Sequence, residues 1–401
     1  MNILFLTLVN IESINDRNIY ADLMRKFNNE GHNMYIVIPT ERRLKQETEI
    51  FKQDRVSILK VKTLNIQKTN IIEKGISTLL IENKFLTSIK KYFSGVKFDL
   101  ILYSTPPITF TKVIRYIKQR DKAISYLLLK DIFPQNAVDL GMMNKGGLIY
   151  RYFRNKEKQL YNISDFIGCM SPANVSYLIK HNPEIDASKV EVNPNSLEPD
   201  YFPVSKEEIT KIREINNIPL DATAFIYGGN IGKPQGIDFL IKVVESNFKR
   251  NDIYFVVVGS GTEFHKIKAW FDKFNPINAC LIAGLPKAEY DKLVKACNVG
   301  LILLDNRFTI SNYPSRLLSY LENKVPILAA IDINSDIGKI AEKNGYGFWC
   351  INGDLNLMNH HINSLASNTT LVKEMGNKGF EYLNNNYTSK HSYEIILSHI
   401  N

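Results

Sequence analysis

Residues 224–236, AFIYGGNIGKPQG, form an apolar run that leads directly into a glycine-rich turn with one lysine, Lys233. Glycines let the backbone come close to a ligand, and the free N–H groups where a helix begins, here near Gly236, favour an anion. The ammonium group of Lys233 adds a positive charge at the same place. The turn therefore predicts a diphosphate site, although such a turn can also be only a tight corner between a strand and a helix. It is not a Walker loop, which ends in Gly-Lys-Ser/Thr.

Alternating strands and helices position this turn within the chain. The first half contains five short apolar runs: ILFLTLV, MYIVIP, VSILKV, DLILYS and AISYLLL. Three prolines interrupt the pattern in NPNSLEPDYFP, residues 193–203, which indicates a linker. The alternation then starts again with AFIYGG, IYFVVVGSG, ACLIAGL, VGLILLD and VPILAAI. This order is typical of parallel sheets with helices on both faces, so we predict an α/β chain of two doubly wound domains that face a cleft.

The composition is an ordinary globular one, with 44% apolar and 23% charged residues. No apolar run reaches the roughly 18 residues of a membrane-spanning helix, and the opening MNILFLTLVN lacks the basic leader of a signal peptide. The cysteines are widely spaced and give neither a zinc nor a disulfide pattern: Cys169, Cys280, Cys297 and Cys350. We therefore expect a reducing, cytoplasmic environment.

The positive charge is confined to the first half of the chain. Residues 1–197 contain 29 Lys+Arg against 19 Asp+Glu, a net of +10, whereas the remaining residues contain 21 against 22, a net of −1. This asymmetry predicts an anionic partner, such as a membrane surface or a lipid phosphate, unless it is only a solvated surface. Residues 142–161, MMNKGGLIYRYFRNKEKQLY, predict a basic amphipathic helix. We expect it to pack on its own domain, with a position on a membrane as the alternative. No motif supports nucleic-acid binding.

From about residue 190 onward the order of segments resembles the retaining glycosyltransferases of family 4, which have the GT-B fold. The matching segments are NPNSLEPDYF, YGGNIGKPQGIDFLI, VVVGSGTE, LIAGLPKAEYDKLVKACNVGLILL, YPSRLLSYLENKVPILA and NNYTSKHSYEIILSHI. In the first half, NEGHNMYIVIP and LLLKDIFPQNAVDLG resemble transferases that build bacterial capsules and O-antigens, and those that add N-acetyl-L-fucosamine are the most similar. The resemblance implies two Rossmann-like domains, residues 1–197 and 198–385, and a final helix, about 386–401, that returns to the first.

The implied reaction is metal-free transfer of a sugar from a UDP-sugar, without a further cofactor, to an undecaprenyl-diphosphate-linked sugar. The donor would bind to the second domain and the acceptor to the first. Front-face attack would retain the anomeric configuration, and the enzyme would associate peripherally with the inner face of the cell membrane in capsule biogenesis. The sequence does not predict an oligomeric state.

The resemblance also assigns residues to the donor site, with two departures. Family members place an arginine and a lysine where this chain has Asn230 and Gln235, so Lys233 and Arg316 are our candidates to neutralise the leaving diphosphate, with Arg307 a weaker third. Two glutamates that usually bind the donor sugar and ribose correspond to Ser311 and Ser319; Ser319 can also be an ordinary helix residue. The complete donor-binding set is Gly229, Asn230, Gly232, Gly284, Leu285, Ser311, Asn312, Tyr313, Pro314, Ser315 and Ser319.

On the acceptor side, Asp131 lies where many relatives have a histidine at the end of a central strand. It could orient or deprotonate the acceptor hydroxyl, or it could cap a local turn. In the loop after the first strand, Asn10, Asn15 and Arg17 are candidates to bind the acceptor. Two other functions stay open: a non-hydrolysing UDP-sugar 2-epimerase, for which we find no histidine partner, and a non-catalytic scaffold protein with the GT-B fold.

Overall fold

A computed structural model describes residues 1–66 and 71–400 of the chain. It divides into two compact units: Met1–Glu198 together with the chain from Ser389 onward, and Pro199–Thr388. The sequence predicts boundaries after residue 197 and at about residue 386, and the structure places them after Glu198 and before Ser389.

The first unit is built on an eight-stranded sheet in the order β3-β4-β2-β1-β5-β6-β7-β8. Its strands are β1 (Asn2–Leu6), β2 (Asn33–Glu41), β3 (Glu49–Gln53), β4 (Val56–Thr63), β5 (Leu100–Ser104), β6 (Ile124–Leu129), β7 (Phe166–Cys169) and β8 (Val190–Val192). Its first helices are α1 (Ile19–Asn29), α2 (Ile71–Tyr92), α3 (Thr111–Asp121), α4 (Gln135–Asp139), α5 (Leu148–Ile163) and α6 (Pro172–His181). The described strands pair in parallel, except that β3 is antiparallel to β4.

The residue types explain why these elements form. In β1 the side chains of residues 3–6 are fully buried, as expected for a central strand covered on both faces. The helix α1 begins after Asn18, whose side-chain oxygen accepts hydrogen bonds from the backbone N–H groups of Tyr20 (3.0 Å) and Ala21 (2.9 Å). Its apolar residues Leu23, Met24 and Phe27 are buried against the sheet, so an amphipathic pattern directly becomes a packed layer.

The second unit contains a six-stranded sheet in the order β11-β10-β9-β12-β13-β14, with parallel pairing between its described strands. Its strands are β9 (Thr223–Asn230), β10 (Ile253–Ser260), β11 (Ala279–Ala283), β12 (Val299–Leu303), β13 (Ile327–Ile331) and β14 (Gly347–Ile351). Its helices are α7 (Lys206–Ile215), α8 (Ile237–Ser246), α9 (Phe264–Phe274), α10 (Lys287–Lys295), α11 (Arg316–Glu322), α12 (Ile337–Lys343), α13 (Leu355–Ala366) and α14 (Thr369–Asn386). The predicted doubly wound α/β organisation is therefore confirmed.

A final helix, α15 (Ser389–Leu397), belongs to the first unit. Its Ile396 is fully buried in the core beneath α1, and the ring of Tyr393 packs edge-on against Phe27, with the ring centroids 4.8 Å apart. The hydroxyl of Ser392 donates to the side chain of Asn193 at 2.8 Å. The expected return of the last helix to the first domain is confirmed.

The linker is less free than its prolines suggest. Asn193, Asn195, Ser196 and Leu197 are buried within the first unit, and the backbone N–H of Ser389 donates to the Leu197 carbonyl oxygen at 2.8 Å. No helix among the described residues combines the length and the apolar character needed to cross a bilayer.

Candidate functional site

The first part of the candidate site is the glycine corner, residues 228–236, which joins β9 to α8. Gly229 has a φ of +110°, a conformation that side chains rarely tolerate. The neighbouring turn of β10 packs against it backbone to backbone, since a methyl group added to Gly259 would lie 1.9 Å from the carbonyl oxygen of Gly229. The N–H of Ile231 also donates to the Ser260 carbonyl oxygen at 2.9 Å. The glycine turns that follow β9 and β10 are therefore parts of one corner at the carboxyl edge of the sheet.

The start of α8 is open to an anion. Its N-cap is Gly236, and no side chain of the described residues caps the first turn. The N–H groups of an uncapped helix start are available to an anion, and the helix dipole favours negative charge there. The first turn of α8 also contains the carboxylate of Asp238, and the diphosphate site at this corner stays a prediction.

Arg316, the first residue of α11, meets this corner. A methyl group built on Gly229 would lie 3.7 Å from Nη2 of Arg316. The guanidinium carbon lies 4.4 Å from the ring centroid of Tyr227, and the Tyr227 hydroxyl donates to the Asn230 carbonyl oxygen at 2.6 Å. Tyr227 therefore holds the guanidinium group beside the glycine corner through a cation–π contact, which the sequence pattern does not reveal.

The guanidinium group of Arg316 lacks an anionic partner. Its Nη1 is buried without a hydrogen-bond partner, and no ion pair to Arg316 occurs within residues 1–66 and 71–400. Arg213, in the same unit, shows the contrast: its guanidinium group donates to the backbone carbonyl oxygens of Ala296, Pro219, Leu220 and Ala222 and to the side chain of Asn298. Because buried charges are normally paired, the Arg316 site has the character of a place that an anion completes.

The other predicted cations differ in their surroundings. Lys233 lies on the corner, but it is exposed. Asn230 and Gln235 occupy the positions at which the resemblance places two cations, and here they bond to each other, with Asn230 Nδ2 donating to Gln235 Oε1 at 3.0 Å. Arg307 is bound to Asp305, with its Nη2 2.8 Å from a carboxylate oxygen. Arg316 is thus the cation that the structure brings to the corner, and Arg307 is already paired.

The two predicted serines are bound to carboxylates of their own domain. The hydroxyl of Ser311 donates to Asp336 at 2.9 Å, and that of Ser319 lies 3.5 Å from Asp291. Ser311 is buried, whereas Ser319 is partly exposed on α11. Their donor-binding roles stay predictions.

The remaining donor-side candidates lie around the same part of the sheet. Gly284 follows β11, and a methyl group on it would lie 3.7 Å from Ser260 Oγ; Leu285 follows it and is partly exposed. Gly232 is buried, and its N–H donates to Gln235 Oε1 at 3.2 Å. The turn before α11 has mixed exposure: Asn312, Tyr313 and Pro314 are half-buried and Ser315 is exposed.

Tyr313, a predicted donor-binding residue, has a contact within its own unit. Its hydroxyl accepts a hydrogen bond from Tyr387 at 3.4 Å. Burial raises its pKa well above the usual value, and the neighbouring Tyr387 and Tyr346 add to that effect. Asn312 is fixed by its backbone N–H, which donates to Ser335 Oγ at 3.0 Å.

In the first unit, Asp131 follows β6, an interior strand. Burial raises the pKa of its carboxyl group to about 6, although hydrogen bonds to the carboxylate lower it in part. The Nδ2 of Asn136 donates to both carboxylate oxygens, at 2.7 and 2.8 Å. The backbone N–H of Asp131 donates to Thr105 Oγ1 at 3.1 Å. The carboxylate is therefore held in one orientation at the carboxyl edge of the sheet, and its catalytic role stays a prediction.

Two further ionisable groups near Asp131 were not predicted. Burial raises the pKa of Glu157 to about 7, and the charge of Asp131 adds to that rise, although Arg154 and Tyr161 lower it. Burial also lowers the pKa of Lys130 to about 7, and its Nζ donates to the Asn193 carbonyl oxygen at 3.0 Å. Perturbed groups of this kind cluster at functional sites. In the sequence, Glu157 is surrounded by lysines and arginines, and its burial depends on how α5 packs.

The loop after β1 contains the acceptor candidates, which differ in their contacts. Asn10 is exposed and donates to Glu12 at 2.8 Å. Arg17 donates to the Glu198 carbonyl oxygen at 3.2 Å, which ties this loop to the start of the linker. Asn15 lines a cavity of about 390 Å³ that also includes Phe51 and the Lys60–Glu12 ion pair. Asn15 is therefore an acceptor candidate that borders a cavity.

The described residues contain no group of three His, Cys, Asp or Glu side chains that could hold a metal ion. The metal-free donor site predicted from the sequence stays a prediction.

The fold defines the class of protein: two doubly wound Rossmann-like units with a final helix in the first unit are the GT-B fold. The structure is similar to that of the sucrose-phosphate synthase from Thermosynechococcus elongatus, with a TM-score of 0.76 and 12% sequence identity. The superposition covers 99% of this chain and 98% of that protein. The structure is also similar to Anabaena Alr3699/HepE, which was solved in complex with UDP, with a TM-score of 0.70 and 13% sequence identity. This superposition covers 99% of both chains.

The sequence comparisons narrow this class. Residues 208–382 match the family described as "Glycosyl transferases group 1". A curated protein, "Probable glycosyltransferase WbjE" from Pseudomonas aeruginosa, is 24% identical over 285 residues, which are 71% of this chain and 69% of that protein. These matches support a glycosyltransferase with the GT-B fold, as the resemblance implied.

Proposed function

We propose that this chain is a retaining glycosyltransferase of capsular polysaccharide synthesis. It would transfer a sugar from a UDP-sugar to an undecaprenyl-diphosphate-linked sugar. The observation that carries the proposal is the guanidinium group of Arg316, which lies beside the glycine corner with a buried Nη1 that no described residue satisfies. A diphosphate supplies the acceptor oxygens and the negative charge that this group lacks.

The donor would bind with its diphosphate between the glycine corner, the start of α8 and Arg316. Uridine is supported by the bound UDP in the structurally similar Anabaena protein, and we assign the uracil ring to Gly284 and Leu285. N-acetyl-L-fucosamine is our choice of sugar, on the strength of the sequence resemblance. The polar turn from Ser311 to Ser315 would contact it.

In the proposed reaction, the bond between the anomeric carbon and the donor phosphate oxygen breaks while the acceptor hydroxyl attacks from the same face. Arg316, with Lys233 at the exposed rim, stabilises the negative charge that develops on the leaving diphosphate. The acceptor proton passes to a donor phosphate oxygen. Asp131 orients the acceptor hydroxyl, and as a carboxylate above about pH 6 it accepts a hydrogen bond from that hydroxyl. No metal is assigned to this step.

The acceptor would bind to the first unit. Asn10, Asn15 and Arg17 are the proposed contacts, and the cavity beside Asn15 offers an exposed aromatic ring, Phe51, together with polar groups, which suits a sugar. A lipid-linked acceptor requires the enzyme to work at the cytoplasmic face of the membrane, which agrees with the net charge of +10 on residues 1–197.

The test is calorimetric titration with UDP in the presence of a chelator. We expect binding by the wild-type chain and by Arg307→Ala, and much weaker binding by Arg316→Ala. A donor screen against a synthetic lipid-diphosphate sugar, read by mass spectrometry, would then identify the transferred sugar. Absence of UDP binding would reject the proposal, and isomerisation of a UDP-sugar without acceptor would indicate an epimerase instead.

A non-catalytic scaffold is the second candidate, and specific contacts favour it. Ser311 and Ser319 are bound to carboxylates of their own domain, and Asn230 and Gln235 bind each other, so four positions that the resemblance assigns to the donor have partners within the chain. The scaffold predicts no UDP binding and no product in the same experiments.

A further inference from the structure

Large apolar side chains at the start of α5 project into solvent. Leu148 is 83% exposed and Ile149 is 65% exposed, Tyr152 is exposed in the next turn, and Met142 is exposed six residues before Leu148 in the chain. Leu148, Ile149 and Tyr152 share one side of the helix, because they stand at positions i, i+1 and i+4. We call this surface, Met142 with Leu148, Ile149 and Tyr152, the α5 patch. The second half of α5 packs into the domain through Leu160 and Tyr161, which are buried, whereas the exposed patch residues lie at its start.

The charges around the α5 patch have one sign. Residues 140–156 contain no Asp or Glu. Lys145 and Arg151 are exposed, and Nζ of Lys156 lies 5.9 Å from the ring centroid of Tyr152. Arg154 is the exception, because it is bound to the buried Glu157 and to Asn182. Three cations therefore frame four apolar side chains.

We propose that the α5 patch docks this protein on an anionic lipid bilayer. Projecting apolar side chains that enter the headgroup region, with lysine and arginine beside them and a tyrosine at the boundary, are the features of interfacial membrane binding. A protein partner would fit less well, because protein interfaces are depleted in lysine. The net charge of +10 on residues 1–197 acts in the same direction.

Contacts within the first unit connect the α5 patch to Asp131. The ring of Phe133, two residues beyond Asp131, packs edge-on against Phe153, with the centroids 5.1 Å apart, and Phe153 packs against Tyr152 at 5.3 Å. Docking would thus place the edge that carries Asp131 near the lipid headgroups. The functional reason for this placement, access to a lipid-linked acceptor, rests on the proposed function, whereas the docking of the α5 patch does not.

Flotation with vesicles tests the proposal, using phosphatidylcholine vesicles with and without phosphatidylglycerol. We expect the wild-type chain to float with the anionic vesicles, to float less at high salt, and to stay unbound with phosphatidylcholine alone. The variant Leu148→Glu/Ile149→Glu should lower the partition coefficient by about tenfold or more, since it removes the inserted groups and adds two negative charges. The matched control is Leu220→Glu/Ile277→Glu, which alters two exposed apolar residues of the second unit and should float like the wild type.

Further measurements separate the outcomes. Thermal unfolding establishes that the Leu148→Glu/Ile149→Glu variant is folded, and we expect it to bind UDP as tightly as the wild type. Loss of flotation with unchanged UDP affinity is therefore a failure of docking, whereas absence of UDP binding in the wild type is a failure of the proposed function. As a second test, Ile149→Trp should show blue-shifted emission and quenching by brominated lipid, and Ile277→Trp should show neither. Equal flotation of the patch variant and the control, or no flotation by the wild type, would overturn the proposal. A dimer in solution that the patch substitutions disrupt, without vesicle binding, would assign the patch to a second copy of the chain instead.

Discussion

Replacing Arg316 by alanine tests the proposed donor site directly. The structure gives this arginine one contact and leaves one donor unsatisfied: its guanidinium carbon lies 4.4 Å from the ring centroid of Tyr227, and its Nη1 is buried without a hydrogen-bond partner among the described residues. A hydrogen bond to a charged group contributes about 1.5–3 kcal/mol, so the Kd for UDP should rise about 10- to 100-fold in Arg316→Ala. Loss of a donor aimed at developing negative charge typically lowers kcat by about 10²–10³-fold.

The stability of the same variant should change little. Alanine removes a cation–π contact of about 0.5–2 kcal/mol. It also removes the buried Nη1, which no described residue satisfies, and an unsatisfied buried donor destabilises the unliganded chain by a similar amount. The free energy of unfolding should therefore stay within about 1 kcal/mol of the wild type. A structural arginine would behave in the opposite way, with a large loss of stability.

Titration calorimetry with UDP, single-turnover transfer and thermal unfolding measure these three effects. Arg307→Ala is the matched control, because Arg307 lies in the same domain but is bound to Asp305 on the surface, and its UDP affinity should change less than about twofold. Arg316→Lys should restore only part of the affinity, since an ammonium group cannot stack flat on Tyr227 or donate as a fork. If Arg316→Ala binds UDP as tightly as the wild type, Arg316 has no role in donor binding and the reasoning is wrong.

Three other predictions follow from the same contacts. Lys233→Ala should lower kcat by about tenfold, less than Arg316→Ala and with a strong dependence on salt, because Lys233 is exposed; an effect independent of salt would contradict this. Burial raises the pKa of Asp131 to about 6, so kcat/KM should fall as the pH falls through 6, where the carboxylate takes up a proton. Asp131→Asn should lack that acid limb in a pH–rate profile, and an unchanged profile would remove Asp131 from catalysis. Gly259→Ala would place a methyl group 1.9 Å from the Gly229 carbonyl oxygen, so it should destabilise the fold by about 1–3 kcal/mol and weaken UDP binding, whereas Gly95→Ala, with nothing within 4 Å of the added methyl group, should do neither.

The sequence predicted the parts of the fold that have a strong local pattern. The long apolar strands β1, β2, β9 and β10 appear where the runs indicated, and the glycine turns lie at the expected strand ends. Four of the described strands were not predicted: β3 is EIFKQ with mostly exposed residues, β7 and β8 have only four and three residues, and β14 has five residues of mixed burial. β3 forms a hairpin with β4, and β8 pairs with β7, so these two strands depend on a neighbouring strand and not on a long apolar run of their own.

The candidate site was predictable only in part. The spacing of the glycines and the position of Arg316 were visible in the sequence, but the stacking on Tyr227 and the mutual hydrogen bond of Asn230 and Gln235 arise from tertiary packing. The helix predicted within residues 142–161 exists as α5, and it has both of the surfaces that were considered, a packed side and an exposed apolar turn. Which side chains of an amphipathic helix remain exposed depends on the neighbouring elements, and the sequence pattern does not encode it.

The position of α15 has a consequence for biosynthesis. The core of the first unit includes Ile396, and 190 residues of the second unit, Pro199–Thr388, separate α15 from Glu198. While the ribosome is still translating those residues, the surface of α1 that later receives Tyr393 and Ile396 must stay uncovered, and it exposes an apolar groove to chaperones and to other nascent chains. A truncated chain of residues 1–198 would keep that groove permanently, so any attempt to produce the first domain alone should include α15, joined by a short linker to residue 198.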